Sequence, residues 1–186
     1  MYSVGDVIAR YSQWLRCHSL PTRPVCFNGI KVFLVADKTY ILSFQQQVSR
    51  PLDEVFDFFS RAENLEALTP PWLNFKIRGV KPLPVQQGTL IHYSLRVHGI
   101  PLRWTSEIVE WDPPHRFVDL QLRGPYKVWR HEHRFESHDG GTLISDTINL
   151  ALPLGFVGRL AYKIKVQSDV QEIFAFRKKH IHALFG

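Results

Sequence analysis

Two histidines and an aspartate have the types and spacing best suited to chemistry in this chain. His131 and His133 alternate within Tyr126–Ser137, YKVWRHEHRFES, and Asp146 follows within Thr142–Leu150. In a strand, alternate side chains share a face, so Trp129, His131, His133 and Phe135 point one way. Val128, Arg130, Glu132 and Arg134 point the other way. By the same rule Ile144, Asp146, Ile148 and Leu150 share a face. Antiparallel pairing of the two strands can bring Asp146 beside the histidines. A His–carboxylate pair raises imidazole basicity and fixes its tautomer, which suits proton transfer. His131, His133 and Asp146 are therefore the candidate acid–base groups. The blander expectation, and the favoured one, is a buried polar cluster that satisfies itself or anchors a ligand.

The same three residues are ligand types for zinc or iron. Alternate histidines arise easily by chance among nine, so no metal is expected. Ser106 has no G-x-S-x-G elbow around it. No phosphate-loop or dinucleotide-binding glycine pattern occurs, so no cofactor is expected.

These residues must be positioned by a sheet. From Leu73 to Leu152 short alternating runs are separated by turn signals about every ten residues, the pattern of an antiparallel meander. Phe75–Val80 reads as one strand. In Thr89–His98, Ile91, Tyr93, Leu95 and Val97 face inward and His92, Ser94, Arg96 and His98 outward. In Leu102–Trp111, Leu102, Trp104, Ser106 and Ile108 share a face. In Arg116–Leu122, Val118, Leu120 and Leu122 lie on one side. Gly99-Ile100-Pro101, Asp112-Pro113-Pro114, Gly124-Pro125 and His138-Asp139-Gly140-Gly141 supply the turns.

Before the meander, Tyr40–Val48 reads as a first strand. Pro51 then suits a helix start, with Leu52, Val55, Phe56 and Phe59 as its apolar stripe. A second short helix spans about Arg61–Leu68 and stops at Thr69-Pro70-Pro71. After the meander, Val157–Leu184 carries a helical stripe of Leu160, Ala161, Ile164, Val170, Ile173, Phe174, Arg177, Ile181 and Leu184. A long terminal helix with one curved sheet is expected to bury that stripe on the concave face.

Residues 1–37 differ in texture and are read as an N-terminal extension, with 38–186 as the domain. Val4–Leu15 has helical spacing, and Val25–Ala36, interrupted by Asn28-Gly29, suits a weak hairpin. The extension could serve as an arm for a protein partner, although nothing in it supplies chemistry.

The chain has 186 residues, a formal charge of +6, and 13 Phe, five Trp and six Tyr. That suits one domain with a large aromatic core or an aromatic-lined cavity. The one dense basic run, Arg177-Lys178-Lys179-His180, suits a helix C-terminus better than nucleic acid, and no nucleic acid is expected. Cys17 and Cys26 have no redox or metal spacing, and no apolar run is long enough to span a membrane. A soluble, cytoplasmic protein is expected.

The order of strand, two short helices, six-strand meander and long terminal helix resembles the helix-grip fold of the START and plant pathogenesis-related allergen superfamily, SRPBCC. The resemblance covers Tyr40–Phe185. It rests on Val48–Phe56, Ala67–Leu73, Trp111–Phe117, Gly124-Pro125-Tyr126, Trp129–Phe135, Gly141-Thr142 with Asp146, Pro153-Leu154-Gly155, Ile173-Phe174 and Arg177. More narrowly it is similar to the bacterial polyketide cyclase/dehydrase-like branch, some members of which are described as cell-division inhibitors. The resemblance implies an α+β fold: a curved antiparallel sheet of about seven strands around a long C-terminal helix, with two short helices after the first strand. It also implies a cavity between sheet and helix.

Tyr93, Trp104, Trp129, Phe135 and Phe174 are then expected to line that cavity. His131, His133 and Asp146 would orient a polar group, and Arg177 could pair with an acid. The expected function is non-catalytic binding of a hydrophobic or aromatic small molecule, lipid or polyketide-like. The alternatives are a cyclase or dehydratase using the same His and Asp residues, or a protein-interaction module.

Overall fold

A computed structural model describes residues 25–27, 30–35, 39–79 and 84–186. The helix read over Val4–Leu15, and Val80 at the end of a predicted strand, lie outside the described residues. The strands are β1 (Val25–Phe27), β2 (Ile30–Val35), β3 (Thr39–Val48), β4 (Lys76–Ile77), β5 (Leu90–Val97), β6 (Ile100–Asp112), β7 (Arg116–Arg123), β8 (Val128–His138) and β9 (Gly141–Ala151). They form one antiparallel sheet in the order β1-β2-β3-β9-β8-β7-β6-β5-β4.

The seven strands β3 to β9 are the expected helix-grip sheet, and the β1–β2 hairpin extends it beyond β3. Hairpins link β5 through β9 in sequence, whereas β3 returns to pair with β9 along its whole length. Only glycine fits at Gly141, because a Cβ there would run into the Val48 carbonyl oxygen of the neighbouring strand. The strand predicted over Phe75–Val80 is shorter, Lys76–Ile77. Left-handed Asn74 precedes it, and Gly79, with φ of 80°, turns the chain away.

Helix α1 (Leu52–Phe59) and helix α2 (Asn64–Ala67) follow β3. Asp53 and Glu54 lie in the first turn of α1, where carboxylates suit the helix dipole. Val55 and Phe56 are buried, and Phe56 and Phe59 pack edge-on against Phe135 of β8. These rings close one end of the concave face.

The terminal helix runs as α3 (Gly155–Ala161), a π-helical turn over Tyr162–Val166, and α4 (Gln167–Phe185). Its buried residues are Gly158, Tyr162, Val170, Phe174, Arg177, Ile181 and Phe185. The predicted stripe therefore holds at Val170, Phe174, Arg177 and Ile181 but fails towards both ends. Leu160, Ala161, Ile164 and Leu184 are exposed. The π turn accommodates an extra residue and rotates the helix before it relative to α4. Tyr162 instead stacks on Tyr40 at 3.4 Å, and Phe174 stacks on Phe44 at 4.0 Å, which fixes the helix against β3.

Candidate functional site

A cavity of about 470 Å³ lies between the sheet and α4. Its walls come from the inward faces of β5 to β8, and α2 and the following turn also line it. Alternation delivers Tyr93 from β5, Trp104 from β6 and Trp129 from β8. Tyr93 stacks on Trp104 at 5.7 Å, and Trp129 meets Trp104 edge-on at 5.4 Å. Phe174 and Arg177 enter from α4, one turn apart.

His131 and His133 line the cavity as expected, but Asp146 does not. It lies behind them: Asp146 Oδ1 is 2.9 Å from His131 Nε2 and 2.8 Å from His133 Nδ1. The His131 contact is an aligned hydrogen bond. The His133 contact has ion-pair distance, but its Nδ1 makes no aligned hydrogen bond. Asp146 thus holds the histidines instead of facing the cavity. Phe135 is likewise absent from the wall, because the α1 rings cover it and leave it 0 % exposed.

Sequence reasoning missed the second carboxylate, Asp119 of β7. Its register partner is His131, and Phe117 is partnered with His133, so both point inward. Asp119 Oδ2 is 3.3 Å from His133 Nε2 and 3.6 Å from His131 Nδ1. Each imidazole therefore lies between two carboxylates. Ser106 donates to Asp119 Oδ1 at 3.3 Å and accepts from Trp104 Nε1 at 3.1 Å.

Asp119 was hidden by the apolar alternation of Val118 and Leu120 on the other side of its strand. Both are buried on the outer face. Their register neighbours there are Glu107, Glu110, Glu132 and Arg130. Arg130 bonds Glu110 at 2.9 Å and Glu132 at 3.0 Å. Long ionic side chains can cover apolar groups, so an apolar residue on an outer face need not be wet. The usable signal was register: the strand across the Gly124-Pro125 turn carries the histidines.

The electrostatics separate the two imidazoles. Burial lowers the pKa of His131, and the neighbouring His133 lowers it further, against the pull of Asp146 and Asp119. Burial also opposes charge on His133, but its contacts with Asp119 and Asp146 outweigh that and raise its pKa. Burial opposes ionisation of Asp119 and Asp146 too, yet the histidines hold both pKa values below the ordinary range, with a smaller pull on Asp119 from the Arg177 charge. Positive charge is thus favoured on His133 and disfavoured on His131.

Arg177 is only 8 % exposed. Its guanidinium lies over the Phe174 ring at 4.8 Å, and its Nε has no hydrogen-bond partner. Among the described residues no carboxylate lies within ion-pair distance of it. At the rim, His98 has a φ of 50° in the β5–β6 turn. That turn aims its ring at Asp169 of α4, 2.8 Å away, instead of outward as the alternation implied.

Residues 48–171, more than half of the chain, match the model of the family described as polyketide cyclase / dehydrase and lipid transport. The chain belongs to that family. None of the curated proteins matches it. Solved structures share the fold of this chain at low identity. Protein Ms6760 from Mycobacterium smegmatis has a TM-score of 0.60 at 18% identity, covering 87% of this chain and 97% of its own. The ginseng major latex-like protein 151 from Panax ginseng has a TM-score of 0.60 at 13% identity, covering 80% and 98%. Protein CV1439 from Chromobacterium violaceum has a TM-score of 0.61 at 13% identity, covering 78% and 96%. Among the described residues of this family member, no helix is long and apolar enough to cross a membrane.

Proposed function

We propose that the protein binds a hydrophobic or aromatic small molecule carrying an acidic group, and holds it in the cavity without catalysis. The observation that carries this reading is Arg177: a buried guanidinium without an ion-pair partner among the described residues, on an aromatic wall. A buried charge is costly until it is paired, so the site is suited to an anion. The cavity volume of about 470 Å³ falls in the range of small-molecule sites. Burying ~10 methylenes at roughly 0.8 kcal/mol each supplies about 8 kcal/mol, micromolar affinity before ordering costs. The family description, lipid transport included, supports the same class of ligand. The two cysteines without redox or metal spacing support a cytoplasmic setting.

One observation favours a second reading, a cyclase or dehydratase. His131 and His133 have pKa values pushed in opposite directions, which is how acid and base roles are commonly divided. The readings separate on His133→Ala. Lost turnover with retained ligand affinity supports catalysis, and weakened affinity alone supports binding.

The first reading is tested by native mass spectrometry of protein purified from its own host, followed by solvent extraction. The expected result is one bound organic acid per chain, lipid or aromatic. A neutral or strongly polar molecule at that stoichiometry would contradict it.

A further inference from the structure

The geometry points to a binding site for a first-row divalent transition metal ion, Zn²⁺ or Fe²⁺ by donor type, formed by Asp119, His131 and His133. The donor atoms Asp119 Oδ2, His131 Nδ1 and His133 Nε2 all lie within 4.8 Å of one another. Two imidazoles and one carboxylate form a donor set that suits both ions.

The spacing is informative because each imidazole has one tight side and one loose side. Towards Asp146 the distances are 2.9 and 2.8 Å. Towards Asp119 they are 3.6 and 3.3 Å, the latter a long hydrogen bond of His133 Nε2. N–H···O hydrogen bonds cluster near 2.9–3.0 Å. Two donors each at 2.0–2.1 Å from a tetrahedral ion are instead about 3.4 Å apart. The two separations from Asp119 therefore bracket the one that a shared ion requires.

The surrounding groups complete the arrangement. Metal-bound histidines usually give their other N–H to a carboxylate, and Asp146 faces the other nitrogen of both. With those protons on His131 Nε2 and His133 Nδ1, the lone pairs of Nδ1 and Nε2 face Asp119. Asp119 Oδ1 is held by Ser106, itself fixed by Trp104, which leaves Oδ2 for the ion. All three donors line the cavity, so the remaining coordination positions face it. The sequence alone suggested Asp146 as the third ligand. The structure places Asp146 behind the imidazoles and puts Asp119 in its position.

The test uses the full chain, stripped with a chelator and titrated with Zn²⁺ by calorimetry, with Co²⁺ as an absorption probe. No organic ligand is added, so failure here leaves the proposed apolar-acid binding standing. The expected result is one ion per chain and visible Co²⁺ bands of a four- or five-coordinate site. Asp119→Asn and His131→Ala, each verified as folded by circular dichroism, abolish both signals. Asp146→Asn weakens Zn²⁺ binding by about 10- to 100-fold, as expected for a group behind the ligands. If both substitutions at ligand positions unfold the chain, ring-proton NMR of the wild type replaces them. Zn²⁺ must then shift the His131 and His133 signals first. Binding that persists in the folded variants, shifts confined to other histidines, or no one-to-one binding would overturn the proposal.

Discussion

Replacing Asp146 by Ala lowers the stability of the metal-free protein by about 3–5 kcal/mol, the usual cost of removing one partner from a buried ion pair. Asp146 is 6 % exposed and contacts both imidazoles, so its loss strips His131 of its acceptor and His133 of a carboxylate at ion-pair distance. In a domain of this size the thermal midpoint falls on the order of 10 °C. Urea unfolding checks the value, and a loss below about 1 kcal/mol would contradict the ion-pair account.

The pH dependence carries the same signature. The pKa of Asp146 is depressed in the folded state by His131 and His133, against the opposing effect of burial. Its contribution is therefore present above its ordinary value of 3.8 and lost as pH falls through the folded pKa. The pKa of His133 is raised, so its contribution is present below 6.5 and lost as pH rises through the folded pKa. His131, with a lowered pKa, acts in the opposite sense near 6.5 and offsets part of the His133 effect. The net expectation is a clear acid limb below about pH 4 and a shallow one near neutrality. Asp146→Asn, which keeps an acceptor but not the charge, should flatten the acid limb.

Arg177→Met separates stability from binding. The substitution removes a buried charge with an unbonded Nε and inserts a flexible apolar chain among Phe174 and its neighbours. Such replacements are commonly neutral or stabilising. The empty variant is therefore no less stable than wild type. Its affinity for an apolar carboxylic acid falls by roughly 10- to 100-fold, because a charge-assisted hydrogen bond is worth about 1.5–3 kcal/mol. Affinity for the methyl ester of the same acid is unchanged. Calorimetry on the pair decides it: acid and ester weakening equally would show that Arg177 only shapes the wall.

How much of this was legible in the sequence depended on which element carried it. The β8 pattern His131-Glu132-His133-Arg134-Phe135 gave the correct face, because a half-buried strand imposes a strict period of two. Trp104, Trp129 and Tyr93 followed from the same rule. Asp119 did not, because its strand has apolar residues on both faces and the register shift at Ile108/Glu110 in β6 is invisible in sequence. Phe135 and Asp146 point inward, yet α1 and the histidines stand between them and the cavity. Alternation gives a direction but not what else arrives there. The π turn at Tyr162–Val166 escaped for a similar reason, since no residue in it breaks helical periodicity.

The central claim, an open cavity that takes an apolar acid, is tested most directly by titrating wild-type protein with dodecanoic acid at several temperatures. One molecule per chain, micromolar affinity and a negative heat-capacity change are predicted, because apolar surface leaves water on binding. Heat of dilution alone, or binding without a heat-capacity change, would contradict it.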